Sequence, residues 1–420
     1  MQQSIRPNKA GWGEIISWTL FDFANTGFYV IIITLVFPIY FRNTIAGGNE
    51  AYWGRAISAS MLITAVIGPF LGSLADVTNR KKFLLAIFTV ACILATFGLY
   101  FTGAGTIALG VFLLVVANVG FEGGTIFYDA FLPDIANPED YGKVSGYGFA
   151  MGYLGSFVIL FIVLPILSRP VITEADTKLT FLIAGTFFAI ASLPLFFVVR
   201  ERAAREEVRG NLFTIGYTRL RETLSHLRRY DSIRKFLLAF FIYNDSILTV
   251  ILFAGIFASE TLKLKTESLI YFFMIVQGSA LVGSLIFGGI TNRIGVRQSI
   301  MITLTIWIAI VLGAAFWVTN AGQFFVLGGV AGLALGSSQS CSRTMMALLT
   351  PADKQTEFFG FYDGFFGKAS AVIGPLVFGE VSQRYGQRPA MLILGVMFVI
   401  GMILMLRTPD VRAGREVEAG

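Results

Sequence analysis

Apolar runs of about 20 residues, separated by short polar breaks, recur along the whole chain, and each is long enough to cross a bilayer as a helix that satisfies its own backbone hydrogen bonds. Twelve such spans are expected, numbered in chain order: 13–41, 51–75, 83–102, 106–132, 144–167, 179–199, 235–257, 267–290, 299–318, 322–345, 357–381 and 389–407. The single long polar stretch, 200–234, divides them six and six. The expected organisation is therefore a six-helix bundle over 1–199, a linker over 200–234, and a second six-helix bundle with a short tail over 235–420. Within the linker Phe213, Tyr217, Leu220, Leu224 and Leu227 recur at helical spacing, with Arg219, Arg221, Arg228 and Arg229 off the stripe. That pattern predicts an amphipathic helix along the membrane face, serving either to tie the bundles together or as a regulatory surface.

The two halves repeat each other. GSLADVTNRKK from Gly72 and GGITNRIGVRQ from Gly288 lie 216 residues apart, each leaving an apolar span and running into basic residues. NPEDYGKVSGYGFAMGYLGS from Asn137 likewise parallels TPADKQTEFFGFYDGFFGKAS from Thr350, matching Pro138 to Pro351 and Gly146 to Gly360. Many secondary transporters are assembled from such internal repeats of apolar helices. The copies are unequal, because the first keeps an acid, Asp76, where the second has Asn292.

A composition of 55% hydrophobic and 14% charged residues, with mean hydropathy +0.73, excludes a soluble domain. The net charge of +6 would fit a nucleic-acid partner, but its placement argues otherwise. The loops on the side of the repeated turns, counting 343–356 among them, hold 23 of the 32 lysines and arginines; the other side holds 8, and Lys368 alone falls within a span. This is the positive-inside asymmetry, which predicts that both termini and both repeated turns are cytoplasmic. Span 1 is too long for a cleaved signal and contains Asp22 and Asn25, so it is expected to be retained. Cys92 and Cys341 fall in spans of different halves, which makes a disulfide unexpected, and the lone histidine, His226, supports neither a histidine relay nor a metal cluster. Without a phosphate-binding glycine loop or a Ser-His pairing, no enzyme, cofactor or metal is expected.

Twelve spans in two halves, a basic central loop and GSLADVTNRKK together resemble the major facilitator superfamily, whose loop motif runs approximately G-x-L-a-D-r-x-G-r-k. The first copy departs from it at Val77 and Asn79; the second keeps Arg293 and Gly295 but has Asn292 for the acid. More specific strings are FDFANTGFY in span 1, FYDAFLPDIA leaving span 4, GYGFAMGYLGS in span 5, FFIYNDSIL in span 7, and SSQSCSRTMMALLTPADKQTEFFGFYDGFFGKASAVIGPLVFG across spans 10 and 11. These resemble the vacuolar-effluxer branch, the autophagy-linked amino-acid exporters, and its bacterial relatives. The resemblance implies an all-α membrane protein of the major facilitator fold, a central cavity lined by spans 1, 4, 7 and 10, and alternating access. It favours proton-coupled export of an amino acid or related metabolite; a drug, siderophore or sugar is the alternative cargo. The Gly-Pro signature of drug/proton antiporters is absent from span 5. A reading outside the class is a membrane sensor or scaffold working through the linker.

A charged group deep in a span costs about 2.5 to 3.5 kcal/mol on insertion scales, so each is a functional candidate. Asp22, Glu122, Asp129, Asp245 and Lys368 are the five. Asp22 with Asn25, and Asn118 with Glu122, each share a helix face; Asn244 beside Asp245 and Gln339 beside Ser340 are the corresponding polar steps in spans 7 and 10. Asp22, Glu122 and Asp245 are read as proton-coupling carboxylates or as anchors between helices. Lys368 is expected to meet Asp363, Asp245 or a substrate carboxylate. A cytoplasmic gate is assigned to Gly72, Asp76, Arg80, Asp129, Gly288, Asn292 and Arg293, with Asp76 accepting hydrogen bonds from the N-terminus of a neighbouring helix, span 11, and Arg80, Lys81 and Lys82 anchoring the loop. Gly142, Gly146, Gly148, Gly152, Gly364 and Gly374 supply close packing in spans 5 and 11. The expected partners are the bilayer, a small-molecule substrate and protons, with no nucleic acid, in a monomer placed in the cell membrane, the inner one if the chain is bacterial.

Overall fold

A computed structural model describes residues 10–49, 51–202, 212–225, 227–264, 266–370 and 373–410. His226 lies outside them. The described residues form helices and turns with no strand. Eleven helices are long and apolar enough to cross a membrane: Trp12–Ile45, Ala51–Thr78, Lys81–Phe101, Ile107–Ile135, Tyr141–Leu167, Glu174–Val198, Asp231–Ile256, Tyr271–Ile294, Val296–Phe316, Ala321–Leu349 and Gln387–Leu406. They account for every expected span except span 11.

Span 11 is helical but broken, which corrects the single helix expected over 357–381. It runs as Gln355–Phe359, a π-helical turn Gly360–Phe366, the short turn Gly367–Ala369, and then the helix Ile373–Tyr385. Gly360, Gly364 and Gly367 weaken the helix, Pro375 removes a backbone donor, and Ser370 Oγ donates to the Gly367 carbonyl. Other π-turns keep the register of the duplication. Phe41–Ile45 closes span 1 and Phe257–Thr261 closes span 7, at the same 216-residue offset as the glycine turns.

The chain divides into two compact units, and each takes a segment from the other half of the sequence. Unit 1 comprises Met1–Asn137, Met151–Leu220 and Ala352–Phe365; unit 2 comprises Pro138–Ala150, Arg221–Pro351 and Phe366–Gly420. Their internal packing is alike. In unit 1 Ala51–Thr78 and Lys81–Gly98 pack on Ile107–Asp129, and Trp12–Phe28 packs on Glu174–Val198. In unit 2 Thr266–Ile294 and Val296–Phe316 pack on Ala321–Leu349, and Asp231–Ile256 packs on Gln387–Leu406. Small residues set the closest approaches, as expected where helices associate by packing in lipid. A side chain at Gly283 would strike the Leu333 carbonyl, and one at Gly336 the Ala280 carbonyl. Large apolar side chains such as Phe161 and Phe197 point outward, as lipid-facing surface requires.

The linker forms the helix Leu212–Ser225, followed by the 3-10 turn Leu227–Tyr230. Its expected apolar stripe needs correction at Tyr217, which is exposed, whereas Gly216 and Thr223 are buried. The packed face is thus turned by about one residue, because Gly216 lets the helix lie against Phe70 and Leu74 of Ala51–Thr78. The side chains of Phe213, Leu224 and Leu227 are outside the described set.

Gly336→Ala is expected to lower the stability of the purified protein by about 1 to 3 kcal/mol through overpacking. Gly255→Ala, where an added methyl meets nothing within 4 Å, should leave it unchanged or slightly raised. Equal melting temperatures for the two variants would contradict the close packing of Thr266–Ile294 on Ala321–Leu349.

Candidate functional site

Span 2 builds a cradle at its end. Gly68, Gly72 and Asp76 are spaced by four, so they share one face of Ala51–Thr78. Without side chains at 68 and 72, the start of span 11 can lie directly on the helix. A Cβ at Gly72 would overlap the Thr356 carbonyl, and one at Gly360 would come 2.6 Å from the Gly68 carbonyl. Asp76 then accepts the Thr356 N–H at 2.9 Å and the Glu357 N–H at 2.8 Å. These are orphan donors of the first turn of Gln355–Phe359, where the helix dipole also favours an anion. Glu357 is fully buried, with Lys354 Nζ 3.5 Å from its carboxylate.

The cation beside this clasp is Lys81. Its Nζ lies 2.6 Å from Asp134, donates to the Ala130 carbonyl at 3.0 Å and to Gln355 Oε1 at 3.4 Å, and sits 4.9 Å from the centre of the Phe131 ring. Arg80, the gate candidate next to it, is exposed at the start of Lys81–Gly98. Asn79, with φ of 49°, turns the chain between the two helices, and this turn decides which basic residue faces inward. Lys82 anchors the loop as expected, its N–H and Nζ binding Glu201 and the Val199 carbonyl. Asp129, buried at the end of Ile107–Asp129, completes the neighbourhood.

Unit 2 repeats the cradle without the acid. A Cβ at Gly288 would lie 2.8 Å from the Gly142 carbonyl and 3.5 Å from Lys143 Cα, and one at Gly146 would lie 2.5 Å from the Ser284 carbonyl. Asn292 Oδ1 lies against Gly142. Both Asn292 and Arg293 are exposed. Sequence reasoning assigned Arg343 to a cytoplasmic loop; the structure corrects this. Arg343 lies inside Ala321–Leu349, 1% exposed. Its guanidinium donates to Ser145 Oγ at 3.0 Å and the Ser145 carbonyl at 2.7 Å, and covers the Phe149 ring at 4.0 Å. Ser145 Oγ in turn donates to the Ser340 carbonyl. Gln339, next to this seam, is half-buried.

The polar residues of spans 1 and 4 form two clusters in unit 1. Tyr128 donates to Asp22 Oδ2 at 2.8 Å, Asn25 Nδ2 donates to Asp22 Oδ1 at 3.5 Å, and Thr26 donates to the Asp22 carbonyl. Tyr128 is fixed by stacking on Trp18 at 4.6 Å, whose indole N–H donates to the Tyr128 carbonyl. Gly152 keeps span 5 close, since a Cβ there would meet Thr26 Oγ1 at 3.0 Å. In the second cluster Asn118, fully buried, donates to Ser60 Oγ at 2.7 Å. Glu122 is buried one turn further along the same helix.

In unit 2 the candidates of span 7 grip the break in span 11. Asn244 Nδ2 donates to Ser370 Oγ at 2.7 Å, and Asp245 Oδ2 accepts the Gly374 N–H at 2.6 Å. Asp245 thus holds the backbone of Ile373–Tyr385 from another helix. It is 1% exposed, and its Oδ1 has no hydrogen-bond partner among the described residues. Only glycine fits at 374, because a Cβ would strike Thr249 Oγ1 and lie 3.0 Å from Asp245 Oδ1. Lys368 is half-buried on the short turn Gly367–Ala369, between the residues these two side chains hold and the π-turn. Ser60 and Arg343 were not legible as site residues. Among the described residues no cluster of three metal-ligating side chains occurs.

Residues 49–418 match a family model described as "Vacuole effluxer Atg22 like". The uncharacterized MFS-type transporter YxiO of Bacillus subtilis is 30% identical to this chain, over 94% of each. Autophagy-related protein 22 of Yarrowia lipolytica is 24% identical over 93% of this chain and 78% of its own length. Among solved structures, the human organic anion transporter MFSD10 (TETRAN) superposes with a TM-score of 0.77 at 13% identity, covering 94% of this chain and 99% of its own. The proton:xylose symporter XylE, bound to 6-bromo-6-deoxy-D-glucose, does so with a TM-score of 0.68 at 16% identity, covering 96% and 95%. These two likenesses carry the fold alone.

Asp76→Ala removes the acceptor of two buried N–H groups and is expected to cost about 1 to 3 kcal/mol of stability, read as a lowered denaturation midpoint. Asn292→Ala should stay within about 0.5 kcal/mol of the parent. Equal losses would contradict the inequality of the two cradles.

Proposed function

Because this chain belongs to the Atg22-like vacuole effluxer family and is a multi-pass transporter of the major facilitator fold, we propose that it exports a small polar solute, an amino acid or related metabolite, by proton-coupled alternating access. The observation that carries the coupling is Asp245. A buried carboxylate with one oxygen holding a backbone N–H and the other without a hydrogen-bond partner is costly to keep ionised. Protonation relieves that cost and turns a charge-assisted bond to Gly374 into an ordinary one. The hold on Ile373–Tyr385 then weakens by roughly half. A proton arriving at Asp245 thereby loosens the broken span that carries Lys368, and its departure tightens it.

Lys368 supplies the cation suited to a substrate carboxylate, and this supports a zwitterionic or anionic cargo. Asp22 and Glu122 are the further coupling candidates. Asp22 already accepts hydrogen bonds from Tyr128 and Asn25, so both of its oxygens are engaged, whereas one oxygen of Asp245 is not. The clasp of Asp76 on Thr356 and Glu357 acts in this reading as a gate that must open for access to alternate. Both termini are assigned to the cytoplasm on the positive-inside asymmetry, in a monomer in the cell membrane. A sugar or drug cargo finds less support, since Lys368 offers it no charge complement.

The test is flux in proteoliposomes. With an imposed pH gradient, labelled amino acids are expected to accumulate. Asp245→Asn should reduce gradient-driven accumulation at least tenfold while retaining exchange without a gradient, and Lys368→Met should abolish substrate-induced thermal stabilisation. Unaltered pH dependence in Asp245→Asn, Asp22→Asn and Glu122→Gln alike would overturn proton coupling through these residues.

A further inference from the structure

The duplication leaves one of its two equivalent grooves covered and the other open. In unit 1 the outer face at the end of span 2 is covered by the linker helix. Ser73 Oγ donates to the Gly216 carbonyl at 3.3 Å, and a Cβ at Gly216 would lie 3.4 Å from Phe70 and 3.7 Å from Leu74. At the 216-residue offset, Phe70, Ser73, Leu74, Asp76 and Val77 correspond to Ile286, Gly289, Ile290, Asn292 and Arg293. Those five residues, with Lys143, line an open groove of about 360 Å³ in unit 2.

The two grooves carry different charged residues. Gly72 meets the Thr356 carbonyl and Glu357 Cα, and Gly288 meets the Gly142 carbonyl and Lys143 Cα, so Lys143 stands where the first copy has Glu357. In the first copy the acids Asp76 and Glu357 have the cations Lys81 and Lys354 beside them, whereas the second groove is lined by Arg293 and Lys143. Lys143 is half-exposed, its acid Asp140 3.8 Å away, and Arg293 makes no ion pair among the described residues. The floor is apolar and open. Ile286 is 48% exposed, and a side chain built at Gly289 meets nothing within 4 Å.

We propose that this groove binds an anionic phospholipid. The phosphate sits between Lys143 and Arg293, the Asn292 amide donates to it, and an acyl chain runs along Ile290 and Ile286. Cationic pockets at the ends of membrane helices suit such headgroups, and charge complementarity selects an anion. The apolar floor selects a lipid over a free phosphate, which would leave Ile286 and Ile290 uncovered.

The test uses the full chain in neutral detergent, titrated with phosphatidylglycerol, phosphatidylcholine or inorganic phosphate, reading the melting temperature and the lipid retained in native mass spectra. Phosphatidylglycerol is expected to raise the melting temperature and to remain bound, and the other two to do neither. Lys143→Gln with Arg293→Gln should weaken the effect at least tenfold. Gly289→Leu, which fills the groove without changing charge, should do the same and decides the matter if the double variant fails to fold. Neutralising Arg234 and Lys235, which Asp231 already pairs, should leave the effect intact. The proposal is overturned if Gly289→Leu keeps the full response, if inorganic phosphate reproduces it, if neutralising Arg234 and Lys235 abolishes it, or if phosphatidylcholine does as well as phosphatidylglycerol.

Discussion

The first N–H groups of a helix have no partner within it, and where they are buried they must find acceptors elsewhere. Span 11 is held at two places by a carboxylate borrowed from another span. Asp76 of span 2 receives the N–H groups of Thr356 and Glu357, and Asp245 of span 7 receives that of Gly374. Glycine is required at both contacts. Gly72 makes room for the backbone that Asp76 binds, and Gly374 is itself the residue bound. Span 11 can therefore be broken without leaving its donors unsatisfied, and a broken span is what allows Lys368 to occupy a short turn inside the protein.

The same constraint accounts for the inequality of the duplicated halves. Span 5, the counterpart of span 11, is one continuous helix, Tyr141–Leu167. It rests on Gly288 as span 11 rests on Gly72, with Asn292 at the position of the acid. No acid stands at that point, and the seam of Ser145, Ser340 and Arg343 holds the helix beyond the Gly142 contact with Asn292 and on toward Phe149. The half with the intact helix is thus fixed by neutral and cationic groups, and the half with the broken helix by carboxylates. This difference is what supports the coupling proposed for Asp245.

Much of this was legible in the residues. Apolar run length gave the spans, the 216-residue offset gave the duplication, and Asp76 at the end of span 2 pointed to the start of span 11. The pairing of Asp22 with Asn25 followed from helical spacing, as did the shared face of Asn118 and Glu122. Other features depend on tertiary context. Arg80 and Lys81 are adjacent and chemically alike, and only the turn at Asn79 decides which is buried. Arg343 reads as a loop cation because charge is rare in spans, yet Phe149 and Ser145 provide it with a ring face and two acceptors. The partner of Asp245 is a backbone N–H, which carries no signature in the sequence, and the break in span 11 was hidden by an apolar run of ordinary length. The linker stripe was misread at Tyr217 because Gly216 packs through its missing side chain.

Asp76 holds the start of span 11 by its backbone. Amide hydrogen exchange in lipid nanodiscs measures this hold residue by residue. In the parent protein the amides of Thr356, Glu357 and Gly374 should all be protected. In Asp76→Ala, exchange at Thr356 and Glu357 should accelerate at least tenfold, equivalent to about 1.4 kcal/mol, with Gly374 unchanged. Unaltered protection at Thr356 and Glu357 in that variant would contradict the account.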